Sequence, residues 1–410
     1  MKSIAFVERM FGDYYTEKYE MVSSIPMMDS REFGFASFEG WMRRHKNFET
    51  FDALKEFVKV SVPSDVYCSC AYYEDPNAEM DKKGWLGADL VFDIDADHIP
   101  TTCDRIHDSW ACGVCGLTGK GSSPRRCPAC HSRNFETNTW PCEFCLNIAK
   151  AEAAKVSDIL IQDFGLPKKD IRLFFSGHRG YHVIVESEVT SALDSMGRKE
   201  IVDYVSGLGL DLAFHGLAGK SLRILSSPRE SRLRKLGWGN RLDLGFRHFM
   251  KNAGEGDLSE IGIKRKIIER ILANKDIIVE KWSEQGTLGA VKGIGVESWG
   301  RIAEHVARLE SAKIDTVVTT DIHRLVRLSD TLHSKTGLRK TEFPISAVDD
   351  FDPFRSAVAF KSGATKVLVS DAPEFRMGDE TFGPYANERV ELPTAAAVLL
   401  VCKGRAEVTE

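Results

Sequence analysis

No stretch of the 410-residue sequence approaches the roughly twenty apolar positions that a membrane-crossing helix needs. The first ten residues hold one short apolar run, Ile4 to Val7, too short for the core of a secretory signal. Strong charge of one sign is also missing: the formal net charge is -5. That excludes a surface that grips nucleic acid everywhere, while a local basic patch remains open. There is no internal repeat and no low-complexity linker. Cysteine is scarce over most of the chain. Only Cys68, Cys70 and Cys402 lie outside residues 103–145, and they read as small buried hydrophobes. The other seven crowd into that short window, mostly as C-x-x-C pairs, which in a reducing compartment point to metal. Length and composition fit a cytoplasmic globular chain of two or three domains.

What is present is organised around Asp89 to Asp97, which reads Asp-Leu-Val-Phe-Asp-Ile-Asp-Ala-Asp. Leu90, Val91, Phe92 and Ile94 predict a buried strand. Side chains alternate along a strand, so Asp93 and Asp95 point the same way, about 7 Å apart. Two like charges at the end of an apolar strand repel and are costly to leave uncompensated. A hard divalent cation that takes oxygen ligands removes that cost. A lone Asp here would be read as a turn cap; the pair favours a metal.

In chain order, residues 1–30 read as a helical lead-in on Phe6, Met10, Tyr14 and Tyr15. Arg31 to Phe35 alternates like a strand, Ser37 to Val60 reads as strand and helix, and Val66 to Tyr73 as a strand. Leu146 to Phe164 has helical spacing and ends at Gly165. Ile171–Phe175 and Tyr181–Val185 read as strands joined by a Gly-bearing turn. Residues 190–312 read as helical, with Ile263, Ile267, Ile268, Ile271 and Leu272 in one period and Trp299, Ile302, Val306 and Leu309 in another. Strands are expected again at Ile314 to Val318, Thr365 to Val369 and Ala395 to Val401.

The cysteines sort by spacing. Cys112/Cys115 and Cys127/Cys130 are two knuckles that can place four thiolates on one tetrahedral ion, with Gly116 free to take a positive φ. Cys103, Cys142 and Cys145 then lack one ligand, and His107 supplies it. Two nested structural zinc sites follow: an outer Cys103, His107, Cys142, Cys145 and an inner Cys112, Cys115, Cys127, Cys130. The division Cys103, His107, Cys112, Cys115 against the rest keeps the same ligands and stays open. His131 is read as filling the turn after Cys130. Closed four-ligand sites do folding and nucleic-acid contact rather than chemistry.

Phosphoryl transfer needs more oxygen ligands than two aspartates provide. Asp315, in an apolar stretch, is the third candidate; Asp321 reads as a charge where a helix begins. Arg327, His333 and Lys335 suit phosphate oxygens. So do Ser176, Arg179 and His182 on the hairpin, where Gly177 and Gly180 let backbone approach a ligand.

Together Val91-Phe92-Asp93-Ile94-Asp95, Ser176-Gly177-His178-Arg179-Gly180-Tyr181-His182, the run Asp315 to Gly337, and Arg31-Glu32-Phe33 resemble the small catalytic subunit of archaeal and eukaryotic DNA primases, in its archaeal branch. The resemblance implies an α+β fold: a mixed, antiparallel-sheet catalytic core in three parts (1–102, 146–190, 313–410), with an inserted zinc module (103–145) and a helical subdomain (191–312). It implies that Asp93, Asp95 and Asp315 hold Mg²⁺ or Mn²⁺, and that Ser176, Arg179, His182, Arg327 and His333, with Arg44, contact the incoming nucleoside triphosphate. It implies RNA primer synthesis on single-stranded DNA at the replication fork, together with a large-subunit partner. His178 stands where relatives can carry another Arg. Three other readings compete: a repair polymerase of related fold, an aspartyl-phosphate phosphohydrolase, and a zinc-ribbon adaptor without catalysis. The basic stretch Arg223, Arg229, Arg232, Arg234, Lys235, Arg241, Arg247 and Lys251 reads as a template track or, nearly as well, a solvated helical face.

Overall fold

A computed structural model describes residues 2–409 apart from 21, 100, 213–214, 216–235 and 286–292. The chain divides into two units: Met1–Ala154, Lys168–Lys199 and Ile314–Glu410 form one, Lys155–Pro167 and Glu200–Lys313 the other. No helix among the described residues is long and apolar enough to cross a membrane.

The first unit mixes helices with antiparallel sheets. One four-stranded sheet runs, in order, Leu325–Arg327, Asp65–Ser69, Phe33–Ala36, Met42–Lys46; the other runs Thr341–Phe343, Ile171–Phe175, Gly180–Val185, Leu90–Asp95. Among the described residues the aspartate strand therefore lies at an edge, paired only with the second strand of the hairpin. In that pairing His182 stands opposite Asp93 and Gly180 opposite Asp95. A Cβ at Gly180 would come within 2.4 Å of the Ile94 carbonyl oxygen, so only glycine lets the turn close on the aspartates. Leu90, Phe92 and Ile94 are buried on one face, with Tyr181, Val183 and Val185 buried in the partner strand.

The two large sheets are joined by a buried ion pair. Arg31, just before the strand Phe33–Ala36, donates to Asp89 at 2.7 Å, and both side chains are 5% exposed. Its guanidinium also donates to the carbonyls of Ser69 and Pro26 and lies 4.3 Å from the centroid of the Tyr72 ring. The Tyr72 hydroxyl donates to the other Asp89 oxygen. Asp89 is thus occupied just ahead of the two aspartates that face outward.

Several sequence expectations are corrected. Ile314 to Val318 is not a strand: Thr316–Thr320 is a short helix, and Asp315 caps it by accepting from the Val317 N–H at 3.0 Å. The β-branched residues favoured strand, but a side-chain cap with the Asp315 N–H held by the Asp93 carbonyl (2.8 Å) outweighs that propensity. Asp321 ends that helix rather than starting one, and accepts from the His323 N–H. Ala395 to Val401 lies in the helix Thr394–Cys402, buried along nearly its whole length; a segment covered on all sides shows no period to read. The lead-in helix is Lys2–Glu17 and stops well short of residue 30. Val66 to Tyr73 is two strands, Asp65–Ser69 and Ala71–Tyr73, in different sheets.

The second unit is helical. Gly237–Asn252, Arg265–Ala273, Lys275–Gln285 and Val296–Glu310 bury Phe246, Ile268, Ile271, Trp282, Trp299 and Ile302 in a common core. Of the basic stretch, residues 223–235 lie outside the described residues. Arg241 is buried and paired with Asp163 and Asp158, and Arg247 pairs with Asp243. Neither is a free cation along a template path.

Arg31→Ala strands Asp89 as a buried charge. Breaking one partner out of such a pair costs about 3–5 kcal/mol, so urea unfolding is expected to show a loss of that size. A change below about 1 kcal/mol would mean that Tyr72 alone satisfies Asp89.

Candidate active site

The pleat puts Val91, Asp93 and Asp95 on one face of their strand, and all three line a single cavity. The same cavity is lined by Ser176, His178, Gly180 and His182 from the hairpin, and by Arg324, Arg327 and His333 from the segment after Asp315. Three distant stretches therefore meet at one place. Asp315 joins them through its backbone bond to Asp93, which sets the third aspartate beside the first. Among the described residues only the two Cys/His sets have all their ligand atoms within 4.8 Å of one another. Asp93 and Asp95 stand more loosely, as hard oxygen donors on an open cavity, and Asp315, tied to Asp93 through its backbone, is not among the residues that line it.

The hairpin turn is built to present donors. Ser176 Oγ accepts from the N–H groups of His178 (3.3 Å) and Gly180 (3.2 Å), leaving its own hydroxyl proton for a ligand. Gly177 sits at φ +88°, and the Thr336 hydroxyl donates to its carbonyl, tying the turn to the 331–338 loop. His182 Nε2 lies 3.5 Å from Asp93 Oδ1. Arg327 donates to Asp65 (2.5 Å) and to the Leu332 carbonyl (3.0 Å), which aims its guanidinium along the cavity wall.

Burial, reinforced by surrounding cations, sets the protonation of this wall. His182, His333 and His178 are all held well below the ordinary imidazole range, first by burial and then by nearby cations: Lys340 and Arg327 for His182, Arg327 for His333, Lys403 and Lys335 for His178. They face the cavity as neutral imidazoles, each with one N–H to give. Burial also brings Lys340 and Lys403 down to about 7, helped by Arg172 and Arg327 for the first and Arg179 and Lys335 for the second. Lys403 Nζ lies 2.7 Å from His178 Nε2.

Two expected nucleotide contacts are placed elsewhere. The Arg179 guanidinium is 2% exposed and ion-paired with Asp97 and, at 2.8 Å, with Asp108; it does not line the cavity. Its charge is balanced there by those two carboxylates. Arg44 also lies off this cavity, its guanidinium 2.9 Å from Glu32. Burial would raise the Glu32 carboxyl, but hydrogen bonds from Arg44 and the His45 N–H hold it below the usual range. Three contributors went unassigned in the sequence. His178 does face the cavity, Arg324 joins the wall, and Lys403 backs His178 from 225 residues away. The first two sat inside recognised motifs; nothing local marked the third.

The fold gathers Cys103, His107, Cys142 and Cys145 into one cluster and Cys112, Cys115, Cys127 and Cys130 into another, and does not form the alternative division. Gly116 (φ +71°) and His131 (φ +59°) occupy matching turns after the two knuckles. His107 Nδ1 is 2.7 Å from Asp108 Oδ1, so the ring presents Nε2 toward the sulfurs, 3.5 Å from Cys145 Sγ. Both donor sets could hold zinc.

Because His178 and His333 are neutral when folded and near 6.5 when unfolded, the unfolded chain takes up their protons first as pH falls. The histidine contribution to stability is expected to be full above about pH 6.5 and to decline below it, each histidine adding up to about 1.4 kcal/mol per pH unit. Melting temperatures from pH 7.5 to 5.5 should fall less steeply in His178→Asn/His333→Asn. Parallel curves would mean that these imidazoles are not held neutral.

Comparison with known proteins places this geometry. Residues 136–345 match the family model described as DNA primase small subunit. The DNA primase small subunit PriS of Nitrosopumilus maritimus is 31% identical over 406 residues, covering 99% of this chain and 98% of that protein. PriS of Cenarchaeum symbiosum is 31% identical over 407 residues, with coverage of 99% and 98%. PriS of Archaeoglobus fulgidus is 31% identical over 407 residues, covering 98% and 97%. With relatives aligned end to end and the motif-bearing segments meeting at one cavity, the chain belongs to the DNA primase small subunit family.

Proposed function

We propose that this chain synthesises short RNA primers on single-stranded DNA by two-metal nucleotidyl transfer, as the catalytic partner of a large subunit. The observation that supports it most is the shared cavity: Asp93 and Asp95 face the same space as Ser176, His182, Arg327 and His333, with Asp315 anchored to Asp93. Asp93, Asp95 and Asp315 are hard oxygen donors of the kind Mg²⁺ or Mn²⁺ takes, and Asp93 and Asp95 share their cavity with the guanidiniums of Arg324 and Arg327. Divalent ions held there would lower the pKa of the attacking 3′-hydroxyl and neutralise the leaving pyrophosphate.

The protein's own groups do the rest. The Ser176 hydroxyl and the neutral His182 and His333 rings give hydrogen bonds to the triphosphate. Arg327, fixed by Asp65, stabilises charge that develops as pyrophosphate departs. Starting without a primer demands two nucleotides held at once, an entropic burden met by positioning and by the partner subunit named for this family. Arg44, held by Glu32 off the main cavity, is assigned to a second nucleotide contact.

Incubating the protein with single-stranded DNA, nucleoside triphosphates and Mg²⁺ or Mn²⁺ is expected to yield primer-free oligonucleotides, and Asp95→Ala to yield none. Product from Asp95→Ala at the native rate would sink the proposal. Arg327→Gln is expected to lower kcat by about 10²–10³; a change confined to KM would show that Arg327 binds the ground state and transition state alike.

A further inference from the structure

Asp108 belongs to no motif, yet it stands between the outer Cys/His cluster and the turn that carries the active site. One oxygen, Oδ1, is 2.7 Å from His107 Nδ1 and accepts from the Trp140 N–H at 2.9 Å. The other, Oδ2, accepts from Arg179 at 2.8 Å. Both side chains of that pair are almost fully buried, at 6% and 2% exposed. The same guanidinium reaches Asp97, whose N–H donates to Asp95 Oδ1 at 3.0 Å, while the Arg179 carbonyl accepts from the Ala96 N–H. An unbroken line of hydrogen-bonded groups thus runs from a cluster ligand to an aspartate facing the cavity.

We infer that Asp108 and Arg179 are positioning residues that couple the outer metal cluster to the catalytic aspartate strand. The argument rests on the zinc and two-metal readings above. A carboxylate on the far nitrogen of a ligating histidine fixes its tautomer and strengthens it as a donor, and losing such a carboxylate typically costs 10–100-fold in metal affinity or activity. Here its second oxygen is not solvated. It holds the arginine that pins residues 95–97 against the hairpin turn, so loosening either end loosens both. Coupling of this kind is reciprocal.

The test reads zinc as well as product. Release of zinc from the whole protein to a chromogenic chelator is followed for the native chain, Asp108→Asn, Arg179→Gln and the double variant. Asp108→Asn keeps an acceptor for His107 but turns a donor toward Arg179. One ion per chain is expected to leave about 10–100-fold faster in each single variant, and no faster still in the double. The ion of the inner cluster should leave at the native rate, which shows that the module stays folded. The Mg²⁺ concentration giving half-maximal primer synthesis should rise in both variants, with Arg179→Lys partly restoring it. Native zinc release in Arg179→Gln, or additive effects in the double variant, would overturn the coupling. If one variant loses both ions, Arg179→Lys and Asp108→Glu decide by the same release rates. Absence of primer synthesis in the native chain would count against the proposed function and leave the zinc result standing.

Discussion

Two negative charges on one face of an edge strand cannot be left alone, and much of the first unit answers that repulsion. The Asp93 and Asp95 carboxylates face a wall of Arg324, Arg327 and three histidines, with Lys340 and Lys403 behind it. The neighbouring Asp89 is taken out of play by Arg31 and Tyr72, and Asp97 by Arg179. Asp89 and Asp97 fall just outside the strand Leu90–Asp95 and are held in ion pairs, so of the four aspartates between residues 89 and 97 two line the cavity.

The opposing cations are crowded enough that some surrender their charge. Burial keeps the imidazoles neutral and draws two lysines toward neutrality. A wall of neutral donors with a few permanent guanidiniums suits an anionic ligand. The neighbouring Cys/His cluster fits the same economy: its one imidazole is oriented by a carboxylate whose other oxygen accepts from Arg179 on the hairpin turn.

Legibility followed chemistry. The aspartate strand, the Gly-bearing hairpin and the cysteine knuckles were readable because each has a local period or spacing with a physical reason: alternation for Asp93 and Asp95, positive φ at Gly177 and Gly116, two thiolates per knuckle. The stretch around Asp315 was misread as strand because β-branched residues dominate it, while the deciding hydrogen bond comes from Asp93, 222 residues earlier. The helix Thr394–Cys402 was misread because burial on every side erases the period. Arg179 sat inside a recognised motif, but its partner Asp108 lies in the metal module, where no spacing rule reaches.

The sequence by itself determined which residues could carry chemistry: three aspartates, a serine–histidine turn, and eight Cys/His ligands. Those choices are local, set by side-chain type and by periods of two or three residues. Only the tertiary structure decided which arginine faces the cavity and which is locked in a buried ion pair, how the eight Cys/His ligands divide into two clusters, and that His178 rests on Lys403. Such assignments depend on competition between distant charged partners for one buried position, and no single stretch of chain contains both competitors.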